Sequence, residues 1–159
     1  MKEVYLWCQG VASAILAWIS AKLGILFPVL GMLTIMMVVD YLTGMLASKK
    51  EAIEFPEDST KGWSSKKGAM GIMKKVGYIC VIAAAMVMDY VIMTVAAQLG
   101  YELHTQAIFG LLVTIWYLLN ELLSIIENAG RMGAPVPEWL TKYIAVLKNK
   151  IDEEGSEEP

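Results

Sequence analysis

Apolar residues gather in four long segments, Val4 to Ala21, Leu23 to Ala47, Val76 to Gln98 and Thr105 to about Asn128, with polar stretches between and after them. The first has 18 residues, about 27 Å of helix at 1.5 Å per residue, close to the shortest length that crosses a hydrocarbon core of about 30 Å. Lys2, Gln9, Ser13 and Ser20 fall on one stripe of it, and Gly10, Ala14, Ala17 and Ala21 form a ridge of small residues beside that stripe. The ridge favours a span packed inside a bundle; the stripe would also suit a helix lying flat at the interface. The second segment has Asp40 as its only charge and Pro28 in its first turns, where a missing N–H costs little. The third has Asp89 as its only charge, and the fourth is clean until Asn120. These three are long enough to span outright. The predicted fold class is therefore all-α, an integral membrane protein of three to four transmembrane helices plus a C-terminal amphipathic helix.

The polar stretches complete the organisation. Ser48 to Lys75 holds seven lysines together with Glu51, Glu54, Pro56, Glu57 and Asp58, and reads as an exposed loop. Gly130 to Pro137 is a Gly/Pro-punctuated turn, and Pro137 stands where a helix start tolerates it. In the helix that follows, Leu140, Ile144, Leu147 and Ile151 share one face. Residues 1–130 thus form a transmembrane domain with spans at about 4–21, 23–47, 76–98 and 105–128 and a loop at 48–75. Residues 131–151 form an amphipathic helix, and 152–159 an acidic tail without apolar residues, too polar to order itself.

Composition strengthens this picture. Of 159 residues, 57% are hydrophobic and only 18% charged, and the mean hydropathy of +0.53 lies outside the usual range for a soluble domain. With the N-terminus in the cytoplasm, Lys2, the seven loop lysines, Arg131, Lys142, Lys148 and Lys150 all face inward, and only Lys22 lies outside. Both termini are expected inside. The N-terminal segment fails as a cleaved signal, because one lysine is countered by Glu3 and Ile19 stands where cleavage needs a small residue. Cys8 and Cys80 sit in apolar runs and read as free thiols, and His104, at a segment end, reads as interfacial. No nucleophile triad, phosphate loop or zinc motif is present, so neither an enzyme nor a cofactor is expected.

Candidate chemistry rests on polar groups within the spans. Asp40 and Asp89 are costly in hydrocarbon, which marks them for pairing or function. No lysine or arginine lies in the middle of any span, so each acid is expected to be protonated, bonded to Thr34, Thr43, Tyr41, Tyr90 or Thr94, or exposed to water. At 100° per residue Asn120, Glu121, Ser124, Glu127, Asn128 and Arg131 share an arc of about 120° on the fourth segment. Glu127 and Arg131 are spaced for a surface pair. The loop lysines Lys61, Lys66, Lys67, Lys74 and Lys75, with Trp63 among them, determine topology and could also attract anionic headgroups.

Taken in order, the series resembles the phage lysis and toxin-secretion holins of the holin 4 type. It runs from Asp40-Tyr41-Leu42-Thr43-Gly44, through Ser64-Ser65-Lys66-Lys67-Gly68, Gly71 and Lys74-Lys75, to Asp89. It continues with Asn120-Glu121, Ser124 and Glu127-Asn128, and ends on Gly133, Pro135 and Pro137. The resemblance implies a protein that self-assembles in the membrane, in contact with lipid, and opens lesions for a cell-wall hydrolase (endolysin) or a toxin. No nucleic-acid partner is implied. It would make Asp40, Thr43, Gly44, Asp89, Asn120, Glu121, Ser124, Glu127 and Asn128 candidates for lining a lumen or an oligomer contact. The acidic C-terminus departs from the basic tail of many holins. A small ion- or proton-coupled transporter or channel, and a non-conducting inhibitor of holins, are the alternative readings.

Overall fold

The computed structural model describes residues 1–58, 61–103 and 107–154; His104, Thr105 and the end of the acidic tail lie outside the described residues, as does the side chain of Ile151. Five helices follow in order: α1 (Lys2–Leu23), α2 (Leu26–Glu54), α3 (Ser65–Gln98), α4 (Ile108–Arg131) and α5 (Glu138–Glu154). No strand occurs among the described residues, and the first four helices are each long and apolar enough to cross a membrane. The protein is an all-α membrane protein.

The helices run past the apolar segments that define them. α2 continues to Glu54 and α3 starts at Ser65, which leaves 55–64 as the connection instead of the expected 48–75. The physical reason is that Lys, Glu and Ala are good helix formers, so a helix leaving the membrane need not stop where its apolar residues do. Lys50 and Glu54 add an i,i+4 pair at 2.6 Å on the last turns of α2. Ser64 ends the connection as the N-cap of α3, its Oγ accepting from the Lys67 backbone N–H at 3.2 Å. Between α1 and α2 the chain reverses at Gly24, whose φ of 52° is one that side chains disfavour.

α4 is the centre of the bundle. It packs along α2 and α3 and receives α5 at its C-terminal end, whereas α2 and α3 touch each other only slightly and, among the described residues, α1 packs on α2 alone. The core joins Leu33 and Met37 of α2, Tyr78 and Ile82 of α3, and Tyr117 of α4. The Tyr78 and Tyr117 rings stack at 3.8 Å between centroids, and Trp116 meets Tyr117 edge-on at 5.1 Å. Aromatic pairs add about 0.5–1.5 kcal/mol beyond burial. This matters in lipid, where apolar burial alone does not hold helices together. The outward faces carry residues such as Ile35, Val38, Ile79 and Val87, each more than half exposed, as suits contact with acyl chains.

The outer end of α4 sets its depth. α3 runs nine residues beyond Asp89 to Gln98, about 13 Å of helix, yet the first turn of α4 begins level with Asp89. The Asp89 carboxylate accepts from the Phe109 N–H at 2.9 Å and the Gly110 N–H at 2.7 Å. A helix start buried below the membrane surface needs partners for its free N–H groups, and an anion there also meets the positive end of the helix dipole. Gly110 permits the approach: a Cβ on it would lie 3.2 Å from both Asp89 Oδ2 and Met86 Cγ. Asp89→Ala is expected to lower bundle stability by about 1–2 kcal/mol, read as an earlier midpoint in a dodecyl sulfate unfolding titration. Asp89→Asn, with one acceptor left, should fall between.

Candidate functional site

Lys75 lies ten residues into α3, and its Nζ reaches two carboxylates on two other helices. Asp40 Oδ2 of α2 accepts from it at 2.9 Å, and Glu121 Oε2 of α4 is in direct ion-pair contact. Glu121 is enclosed, with only 2% of its side chain exposed, and Asp40 and Lys75 are largely covered. The bonding then continues toward the C-terminal end of α4. Asn128 Nδ2 donates to Asp40 Oδ1 at 3.2 Å and to Thr43 Oγ1 at 3.3 Å. Arg131 Nη1 donates to Asn128 Oδ1 at 2.9 Å. Its Nε and Nη2 grip Glu51 Oε1 and Oε2 at 2.8 and 2.9 Å. A bidentate Arg–carboxylate pair of this form is among the stronger polar contacts a protein makes.

These bonds form one chain across three helices, Glu51–Arg131–Asn128–Asp40–Lys75–Glu121. Helical period sets which of these residues share a face. Glu121 and Asn128, seven apart, share a face of α4, and Asp40 and Thr43, three apart, share a face of α2. A Cβ at Gly44 would make only ordinary contact, 3.5 Å from Asn128 Nδ2. Gly68 does permit a close approach to α3, with the Tyr41 hydroxyl at 3.2 Å and the Trp63 ring at 3.3 Å from where its Cβ would stand. Beside the chain a polar cleft of about 310 Å³ is lined by Asp40, Tyr41, Trp63, Gly71, Ser124 and Asn128. Three carboxylates meet two cations in this network, and both charges of the Lys75 pair with Glu121 lie within the bundle.

The expectation that Asp40 lacks a basic partner is overturned by Lys75. Lys75, placed at the loop border by its sequence position, is already well inside α3, and its four-carbon stem carries the ammonium inward. The hydroxyls proposed as partners mostly serve their own helices: Thr34 donates to Leu30 O and Thr94 to Tyr90 O. Thr43 donates to Asp40 O. Asp89 bonds backbone N–H groups instead. Arg131 turns to Glu51 and away from the i,i+4 pairing with Glu127, which is exposed.

The other candidates divide. Ser124 is half-buried on the cleft wall, and the Asn120 Nδ2 is enclosed with no partner among the described residues. Ser64 and Lys67 shape the start of α3, with Lys67 Nζ donating to Gly62 O at 2.9 Å. Ser65 and Lys66 are exposed, and Lys74 Nζ sits 5.6 Å from the centroid of the Tyr78 ring. Gly133, at φ 91°, turns the chain after α4, and Pro135 and Pro137 are exposed ahead of α5. Glu51 is the member of the network that spacing did not single out: its partner is 80 positions away. Among the described residues no group of acidic, His or Cys side chains is arranged to hold a metal.

The fold and the site together define a helical membrane protein whose intramembrane charges are locked to one another within a three-helix unit. The chain belongs to the bacteriophage holin family, which it matches over residues 17–149. An uncharacterised protein of Halalkalibacterium halodurans is 34% identical over 148 residues, covering 93% of this chain and 96% of its own. Uncharacterised proteins of Listeria monocytogenes and Clostridium perfringens are 34% and 30% identical, each over 74% of this chain and over 69% and 73% of their own. No solved structure matches the chain.

Removing one member of a buried ion pair leaves its partner's charge uncompensated, a loss of about 3–5 kcal/mol. Lys75→Met is therefore expected to destabilise the bundle by that order in the same dodecyl sulfate titration. The triple variant Lys75→Met, Asp40→Leu, Glu121→Leu should regain most of the loss, because it removes the charges together. If the single variant unfolds like the parent, the ion pairs do not hold the helices.

Proposed function

We propose that this protein is a holin that collects in the bacterial cytoplasmic membrane with both termini inside, associates with its own copies, and opens lesions. Through these a cell-wall hydrolase, or in a secretory setting a toxin, leaves the cytoplasm. The observation that carries the reading is family membership over residues 17–149, which takes in α2 to α4 whole and most of α5. The bundle supports it physically. Asp40, Lys75, Glu121 and Asn128 are held inward and paired, so a single copy can keep these groups in lipid without exposing their charge. The lysine-rich inner ends of α2 and α3 agree with a cytoplasmic location.

Lesion formation requires helices to exchange lipid contacts for contacts with other copies, and polar or small residues supply the attraction. Here the half-buried Ser124 and the exposed Glu127 offer polar surface on the C-terminal half of α4. On this reading lipid is the partner of the outward faces and a second copy the partner of the polar ones. The hydrolase is coupled through the hole, without docking on the chain.

The test is induced expression in a bacterium with and without a cytoplasmic cell-wall hydrolase. Viability and respiration should fall abruptly in both strains, and turbidity should clear only where the hydrolase is present. Unchanged growth and respiration at high membrane abundance would overturn the reading. Selective, saturable flux from reconstituted protein would point to a transporter instead.

A further inference from the structure

We infer that α1 is the contact helix through which two copies of this chain associate, and that the contact is a parallel pairing along the Gln9–Ser13 stripe. The inference rests on the holin reading for its setting and deepens it by naming the surface.

The first observation is how little of α1 the chain itself uses. None of its residues is buried, and α2 is the only helix it touches. Within it only Ile19, Ser20 and Leu23, beside the Gly24 turn, are half-covered. From Lys2 to Trp18 every residue is exposed, so the helix stands clear of the bundle over most of its length. The second observation is what it carries there. Gln9 and Ser13 are one turn apart near mid-helix, and among the described residues neither side chain has a hydrogen-bond partner.

For a helix with a mean hydropathy of 1.5 over its most apolar window, this places a bare amide in hydrocarbon. An unpartnered amide there is unfavourable by several kcal/mol. A helix lying at the interface would satisfy it with water, but such helices carry Lys and Arg on the polar face and low net hydrophobicity. Between Lys2 and Lys22 the only charge is Glu3.

A second copy fits this stripe by symmetry. The glutamine amide holds both a donor and an acceptor, so two Gln9 side chains across a two-fold axis along the membrane normal can satisfy each other, as an isologous contact requires. The axis keeps the two helices parallel, in line with a common topology. Leu6 and Leu16 flank the stripe at about 40° on either side. Gly10 lies beside it, and a Cβ built there meets nothing within 4 Å, so another backbone can come close.

The experiment is oxidative cross-linking in native membranes of a full-length chain lacking its own thiols (Cys8→Ser, Cys80→Ser), with viability followed in the same cells. Ser13→Cys should form covalent dimers at least tenfold more efficiently than Ile15→Cys, which points to the opposite side of α1. Adding Gln9→Leu should lower the Ser13→Cys dimer yield about tenfold, and Gln9→Asn should restore much of it. Equal cross-linking from both positions, or a Ser13→Cys yield indifferent to Gln9→Leu, overturns the assignment. Killing that persists alongside such a result leaves the holin reading standing. Ser13 dimers without any loss of viability would uphold the pairing and overturn the holin reading.

Discussion

The bundle depends on one ammonium group shared by two carboxylates. Lys75 of α3 stands between Asp40 of α2 and Glu121 of α4, and α2 and α3 otherwise scarcely meet. In water such a contact would contribute little, because solvent screens exposed charges. Inside a bilayer the alternatives are worse: an unpaired carboxylate or ammonium in hydrocarbon is strongly unfavourable. The attraction therefore acts mainly as a penalty on every other arrangement of the three helices. Asn128 and Arg131 extend the same constraint toward the aqueous phase, where Glu51 closes it on α2.

Asp89 solves the same problem by different means. It accepts two backbone N–H groups at the start of α4 and has no ion pair among the described residues. The two acids followed by tyrosine, so alike in sequence, therefore do unlike work. One ties side chains at the C-terminal end of α4, and the other fixes where that helix begins. Between them lies the apolar and aromatic core around Tyr78 and Tyr117. Each level of the bundle is thus held by a separate kind of contact.

Helix number, approximate spans and the special status of Asp40 and Asp89 were legible in the sequence, because hydropathy over about 20 residues and the cost of charge in lipid are local properties. The arc on α4 was legible too, since helical period alone places Glu121 and Asn128 together. The partners were not. Nothing local says that Lys75 belongs to the span instead of the loop, because the helix continues through polar residues without a compositional break. Nor can spacing pair Glu51 with Arg131 across 80 positions. The stand-off of α1 was equally invisible, since its ridge of small residues suggests close packing while the bundle makes little use of it.

The inner reaches of α2 and α3 remain helical well past the apolar segments, and only 55–64 joins them. Lys49 and Lys66, both exposed, therefore stand on stiff helical ends and not on a slack tether, while Lys50 is held by Glu54 and Lys67 by the Gly62 carbonyl. Sliding or tilting the bundle by a single helical turn would move these charges as a body. The depth at which the molecule floats in the bilayer is consequently governed by its least greasy part.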